Sequence, residues 1–270
     1  MPHVRFLSIC TSLALLAFVP SCDAGVGDLP SPSVVPPPEG KELRIREVAA
    51  PASPMKAPHE SVVKVSGAVV IAVDKFDETG NGRSSGTIYV ADLGSKEPYS
   101  GISLFNPSFI PGNLRVGPGD ALDLRGVFQE NQNIPITFAP GAFLVQLADA
   151  IGTFRFDAEV PPPVEIDINE LSEYGTGRKW LNMLVTVKNV TVQGDAFGSS
   201  GRRSYNLLPQ TASSTACDAP FPKPPTLVNE LTDLEPLGIQ ANTVIKQLTG
   251  VVTFFCNLHI APRSAADVVL

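Results

Sequence analysis

Residues 76–82 read FDETGNG, and their spacing could hold a metal ion. Asp77, Thr79, Asn81 and Gly82 match a degenerate calcium loop at its first, third, fifth and sixth positions. Alternating oxygen ligands let such a loop curl round the ion, and the glycine permits its sharp turn. The twelfth position should be a bidentate glutamate and is Ile88. A calcium site on Asp77, Thr79 and Asn81 would therefore need Asp74, Glu78 or Asp92 to close its shell from neighbouring strands. The competing account is a polar loop between two strands, its Asp, Thr and Asn side chains holding the backbone turn. The missing acid favours the turn.

A second candidate chemistry is nucleic-acid binding, with Arg202, Arg203 and Tyr205 close together in one predicted loop. Lys179 beside Trp180 and Arg263 near the end could add to it. Such binding needs a basic groove and aromatic stacking platforms. Residues 62–150 carry six Lys/Arg against nine Asp/Glu, and residues 178–270 carry eight against six. With the whole chain at −7, the charge balance disfavours a polyanionic partner. There is also no H-E-x-x-H and no P-loop. Ser61 and Lys64 have S-x-x-K spacing but begin a strand without companion motifs. Glu165, Asp167 and Glu170 read as a solvated acidic run. Phe154, Phe156, Phe254 and Phe255 read as strand-packing residues. We expect no catalytic residues and no cofactor beyond the calcium considered at 77–81.

The N-terminus directs the chain out of the cytoplasm. MPHVR is followed by FLSICTSLALLAFV, an apolar run of 14 residues, short of the roughly 20 that a spanning helix needs. It ends in VPSC, which resembles the bacterial lipobox, where a small residue precedes a cysteine that is lipidated and becomes the mature N-terminus. The resemblance implies a signal peptide over 1–21, lipidation of Cys22, and a membrane anchor. An ordinary secretory signal cleaved nearby, for instance after Ala24, is the alternative. On either account the protein is exported to the cell envelope, periplasmic or on the outer surface. Of the four cysteines, Cys10 leaves with the signal and Cys22 carries lipid. Cys217 and Cys256 remain as a pair in an oxidising compartment and are expected to form a disulfide. His3, His59 and His259 form no Cys/His cluster of ligand spacing.

The elements that would position these residues are strands. Only 17% of residues are charged while Gly and Pro number 22 and 26, which argues against long surface helices and for short strands with many turns. Residues 22–60, rich in Pro, Ala and Ser, read as a disordered tether. SVVKVSGAVVIAV (61–73) is a Val-rich strand with a bend or bulge at Gly67. GTIYVADLG, YSGISLFNP and the segment Leu122–Phe128 give the next three strands, and NIPITFAPG the fifth. Residues 61–150 thus form a first small barrel. Residues 151–177, with one Arg against six acids and a Pro161–Pro163 run, form an acidic linker. Residues 178–270 repeat the strand-rich pattern, opening on WLNMLVTVKNVTV and carrying KQLTGVVTFF where the first block carries LDLRGVF.

Taken together, GAVVIAV, GTIYVAD, GISLF and GDALDLRGVFQE resemble the OB-fold modules of exported bacterial proteins that accompany secreted nucleases and phosphoesterases. The second block resembles less regular copies. The resemblance covers about residues 62–270 and implies an all-β protein of two small five-stranded Greek-key barrels in tandem. It also implies that the loop between the first two strands, which is FDETGNG, borders a ligand face. We expect no nuclease catalytic domain beside the modules. The expected role is binding or scaffolding for a protein or polysaccharide partner. An accessory nucleic-acid binder and a calcium-stabilised adhesion module are the alternatives.

Overall fold

A computed structural model of the chain describes residues 43–84, 86–208 and 216–270. The signal segment, Cys22 and the tether up to residue 42 lie outside the described residues. Residues 43–60, expected to belong to that tether, are folded instead. A one-turn helix, α1 (Ile45–Ala49), buries Ile45, Val48 and Ala49, and Leu43 and Ala57 are buried beside it. Its first amides are held from a distance, Ile45 N and Arg46 N donating to the two carboxylate oxygens of Asp92 at 2.7 and 3.0 Å. The physical reason is local: five apolar side chains outweigh the surrounding Pro-rich composition once a carboxylate satisfies the open helix end.

The first sheet contains β1 (Ser61–Val73), β2 (Ile88–Asp92), β3 (Gly101–Phe105), β4 (Ser108–Ile110), β5 (Asp120–Asn131) and β8 (Leu144–Asp157), in the order β3-β2-β1-β5-β8-β4. β3 also pairs in parallel with β8, Ser103 to Gln146 through Phe105 to Ala148. The bulge expected at Gly67 is present: the β1–β5 register shifts between Val65 and Ala68, Gly67 has φ of +67°, and its amide donates to Asp123. The fifth strand is not NIPITFAPG. Pro135 removes a ladder donor there, and the segment makes only the small hairpin of β6 (Asn133–Ile134) and β7 (Ile136–Thr137). Phe138, which follows it, is 1% exposed and packs edge-on against Phe254 at 4.9 Å between ring centroids. β8 takes the fifth place and runs to Asp157, beyond the expected boundary at 150.

Residues 158–183 are structured rather than a solvated linker. β9 (Val164–Glu165) pairs in parallel with the next long strand. A 3-10 helix at Ile168–Ser172 and α2 (Tyr174–Gly177) bury Ile168, Leu171 and Tyr174. Of the acids expected to be solvated, Asp167 caps the 3-10 helix and Glu170 accepts from Trp180 Nε1 at 2.9 Å.

The second sheet comprises β10 (Leu184–Phe197), β11 (Ser204–Leu207), β12 (Thr226–Val228), β13 (Val244–Phe255), β14 (Asn257–Ala261) and the short β15 (Val268–Val269), with β9 at its other end. β13 pairs with β10 from Leu184–Val251 to Thr191–Val244, closing β10, β11, β12, β14 and β13 into a five-stranded barrel. Among the described residues the chain is therefore mostly β, with one closed barrel. Cys217 and Cys256 are bonded, as expected, tying the loop after β11 to the β13–β14 hairpin.

Apolar packing joins the two sheets. One cluster contains Phe128 and Leu147 from the first and Val185, Ile245 and Ile260 from the second. A smaller one packs Ile71, Ala72, Tyr89 and Ala91 against Leu184, Val228, Val251 and Ala261. This explains the unbroken apolar run GAVVIAV: Ala68 and Val70 serve the main cluster, while Ile71 and Ala72 serve the smaller. Gly101 stands at the junction, where a Cβ would overlap the carbonyl of Asn182.

Candidate ligand-binding cleft

Between the sheets lies a cleft of about 420 Å³. Its walls come from β2 and β3 on one side and from β13, the residues after β12 and the 197–204 loop on the other. Phe105, Phe197 and Phe255 line it and are 58%, 43% and 45% exposed, high values for phenylalanine, while Phe254 beside them is buried. Strand alternation accounts for the last pair, since successive side chains of β13 point to opposite faces.

Glu230 is the polar centre of the cleft. It follows β12 by two residues, and its carboxylate joins the two sheets. Tyr89 of β2 donates its hydroxyl to Oε1, and Thr253 of β13 donates to Oε2 at 2.8 Å. Burial pushes the Glu230 carboxyl above the ordinary glutamate range, and the Glu78 charge adds to this; the two hydroxyls and the Arg202 charge act against it. Tyr89 is pushed well above the ordinary phenol range by burial and by the charges of Glu230 and Asp74. His259 also lines the cleft. Burial lowers its pKa to about 4, and its Nε2 lies 2.8 Å from Asn257 Oδ1. Because Asn257 Nδ2 donates to Pro224 O, the Asn257 oxygen faces the imidazole.

The FDETGNG segment reaches this cleft through Glu78, not through Asp77. Asp77 holds its own turn: Gly82 N donates to Oδ2, while Asn81 N and the Thr79 hydroxyl donate to Oδ1 at 3.2 and 3.1 Å. These donors keep the Asp77 carboxyl below its ordinary range despite the opposing effect of desolvation. Asn81 Oδ1 accepts from Arg83 N at 2.9 Å. So Asp77, Thr79 and Asn81 are brought together, but by donors directed at carboxylate and amide oxygens that a cation would need. Among the described residues no group of three or more His, Cys, Asp or Glu stands where it could hold a metal ion.

Arg202, Arg203 and Tyr205 do not make a common surface. Arg202 pairs with Glu78 at 3.2 Å across the mouth of the cleft, and Arg203 pairs with Glu235 at 2.9 Å. Tyr205 is buried in the barrel, so its ring is not open to stacking. The first two strand loops therefore meet. Gly201 lies so close to the backbone of Glu78 that any side chain there would overlap its carbonyl, and Gly201 O accepts from Asn229 Nδ2 at 2.9 Å. Phe154 and Phe156, expected to be packed, are 43% and 37% exposed on the end of β8. No family model matches the chain, and no curated protein matches it.

Sequence reasoning missed Glu230, Tyr89 and the exposed phenylalanines. Glu230 had one visible signal: it is the acid inside TLVNEL, an apolar stretch following a Pro-rich run. Its hydroxyl partners lie 141 and 23 residues away, a separation no local pattern encodes.

Proposed function

We propose that this chain is an exported, lipid-anchored binding protein of the cell envelope that presents two OB-like Greek-key modules in tandem. The cleft between them receives the ligand or partner, and the protein performs no catalysis. The observation that carries this reading is the exposure of Phe105, Phe197 and Phe255 on one concave surface around Glu230. Concave, mostly apolar sites with a few converging polar groups are the usual form of a binding site. The OB-like assignment draws support from strand order. β1 pairs with β2 and β5, and β10 with β11 and β13, while β3 with β8 and β12 with β14 pair in parallel. Binding rather than turnover is supported by Glu230, whose two oxygens are engaged by Tyr89 and Thr253, and by His259, which is turned toward Asn257. Export and anchoring rest on the VPSC signal alone.

The cleft is tested by a fragment screen on isotope-labelled protein. Saturable shifts should gather on Phe105, Phe197, Phe255 and Glu230 and disappear in F105A/F255A. Shifts scattered over the surface, or none, would refute the reading. Lipidation is tested separately, by mass spectrometry of the mature N-terminus: a start at Cys22 carrying acyl chains is expected, and an unmodified start beyond it would overturn the anchor.

A further inference from the structure

Resting on the binding role proposed for this cleft, we infer that its ligand is an organic cation: an ammonium or guanidinium on an apolar stem, seated with its charge on Glu230 and its stem against the phenylalanines. The polar lining is already committed in one direction. Asn182 Nδ2 donates to Val145 O, Asn229 Nδ2 to Gly201 O, and Gln146 Nε2 to Gln129 Oε1. The two hydroxyls nearest the centre, those of Tyr89 and Thr253, are turned onto Glu230. Each of these donors already has a protein acceptor. Glu230 remains as an acceptor, for a carboxylate offers about four lone-pair directions and two hydroxyls take two of them.

Charge decides between ligand classes. Arg202 is engaged by Glu78 and Arg203 by Glu235, and among the described residues no Lys or Arg is paired with Glu230. The Arg202 charge acts on Glu230 without forming an ion pair with it, so a cation seated directly on this desolvated carboxylate is favoured, because attraction between charges strengthens as water is excluded. An anion would meet Glu230 and Glu78 together. The aromatic rings act in the same sense, since a ring face is the negative end of its quadrupole and attracts an ammonium or guanidinium. Phe105, Phe197 and Phe255 would supply such faces while covering an alkyl or aryl stem.

The test uses the whole mature protein and three probes: 2-phenylethylamine, its neutral isostere 2-phenylethanol, and a blocked Phe–Lys dipeptide amide. Binding is followed by chemical shifts of the cleft residues at neutral pH. We expect the amine to bind about tenfold more tightly than the alcohol, a difference of about 1.4 kcal/mol. E230Q should remove that preference, and F255A should weaken amine and alcohol alike. Tighter binding of the dipeptide than of the amine would assign the cation to a lysine side chain; weaker binding would assign it to a free amine. Equal affinity for amine and alcohol, or an E230Q variant that keeps the preference, would overturn the cation assignment and leave the cleft as a binding site. If none of the probes moves a cleft resonance, the cation assignment fails together with the binding role.

Discussion

In the first sheet a buried carboxylate gathers backbone N–H groups; in the second a buried ammonium gathers backbone carbonyls. Asp92, at the end of β2, accepts from Ile45 N and Arg46 N and so holds α1 against the sheet. Lys223, fully buried between β11 and β12, donates to Ala216 O, Cys217 O and Cys256 O at 2.8, 3.0 and 2.7 Å. Three donors meet three acceptors, which leaves no hydrogen of the ammonium unused. The two devices serve different ends. Asp92 secures a segment laid over the outside of its sheet, whereas Lys223 fixes the β13–β14 hairpin. At that hairpin Cys256 takes a left-handed φ of 69°, which a non-glycine residue adopts only when its surroundings hold it. The disulfide to Cys217 holds the same point covalently. The barrel is thus doubly fastened beside Phe254 and Phe255, on its wall of the cleft.

The largest effect should come from breaking the ammonium. K223M fills similar volume but leaves three buried carbonyls without donors, each costing about 1–3 kcal/mol, against relief of the ammonium's own desolvation. A net loss on the order of 4 kcal/mol is expected from urea denaturation of the oxidised protein. A loss below about 1 kcal/mol would mean that water replaces the lysine and that the ammonium is not what fastens the hairpin.

Next in size is the disulfide. Its cysteines are 39 residues apart, and removing it as C217S/C256S should cost about 3 kcal/mol. Lys223 bonds the carbonyls of both cysteines, so the two devices should not be independent. In the double-mutant cycle the cost of K223M should be smaller in the serine background by about 1 kcal/mol or more. Strict additivity would separate them, and the comparison between the sheets would then rest on Lys223 alone.

The strands were legible because their cause is local. GAVVIAV, GISLF and KQLTGVVTFF are dense in β-branched and apolar residues, and all three lie within strands. The cysteine pair was legible because compartment and number constrain it. What could not be read depends on partners remote in sequence. Leu43, Ile45 and Val48 looked like tether because their composition was averaged with that of their proline-rich neighbours, and the acid that caps them, Asp92, is 47 residues from Ile45. NIPITFAPG has the β-propensity of a strand, but Pro135 and a second sheet waiting to receive Phe138 turn it into a wedge. The cleft has the same character. Phe255 and Phe105 alternate with buried neighbours on separate strands, and only the packing of one sheet on the other makes a common surface of them.

The smallest effect, and the sharpest contrast between the sheets, lies in pH. Burial raises Asp92 from an ordinary 3.8 to about 6, outweighing its amide bonds. Between those values the folded state binds more protons than the unfolded one, so Asp92 contributes stability at acid pH that is lost as pH rises toward 6. Burial lowers His259 from 6.5 to about 4. There the unfolded state binds more protons, so the contribution is present above 6.5 and lost as pH falls toward 4. The two slopes oppose each other between about pH 4 and 6, each bounded by one proton or about 1.4 kcal/mol per pH unit. Relative to the wild type, D92N should therefore gain stability as pH rises across that window. H259Q should gain as pH falls across it. Urea midpoints measured at half-unit steps from pH 4 to 7 would show two difference curves of opposite sign. If both run level, neither group titrates with folding; if they share a sign, one of the two pKa shifts runs opposite to the direction its burial gives it.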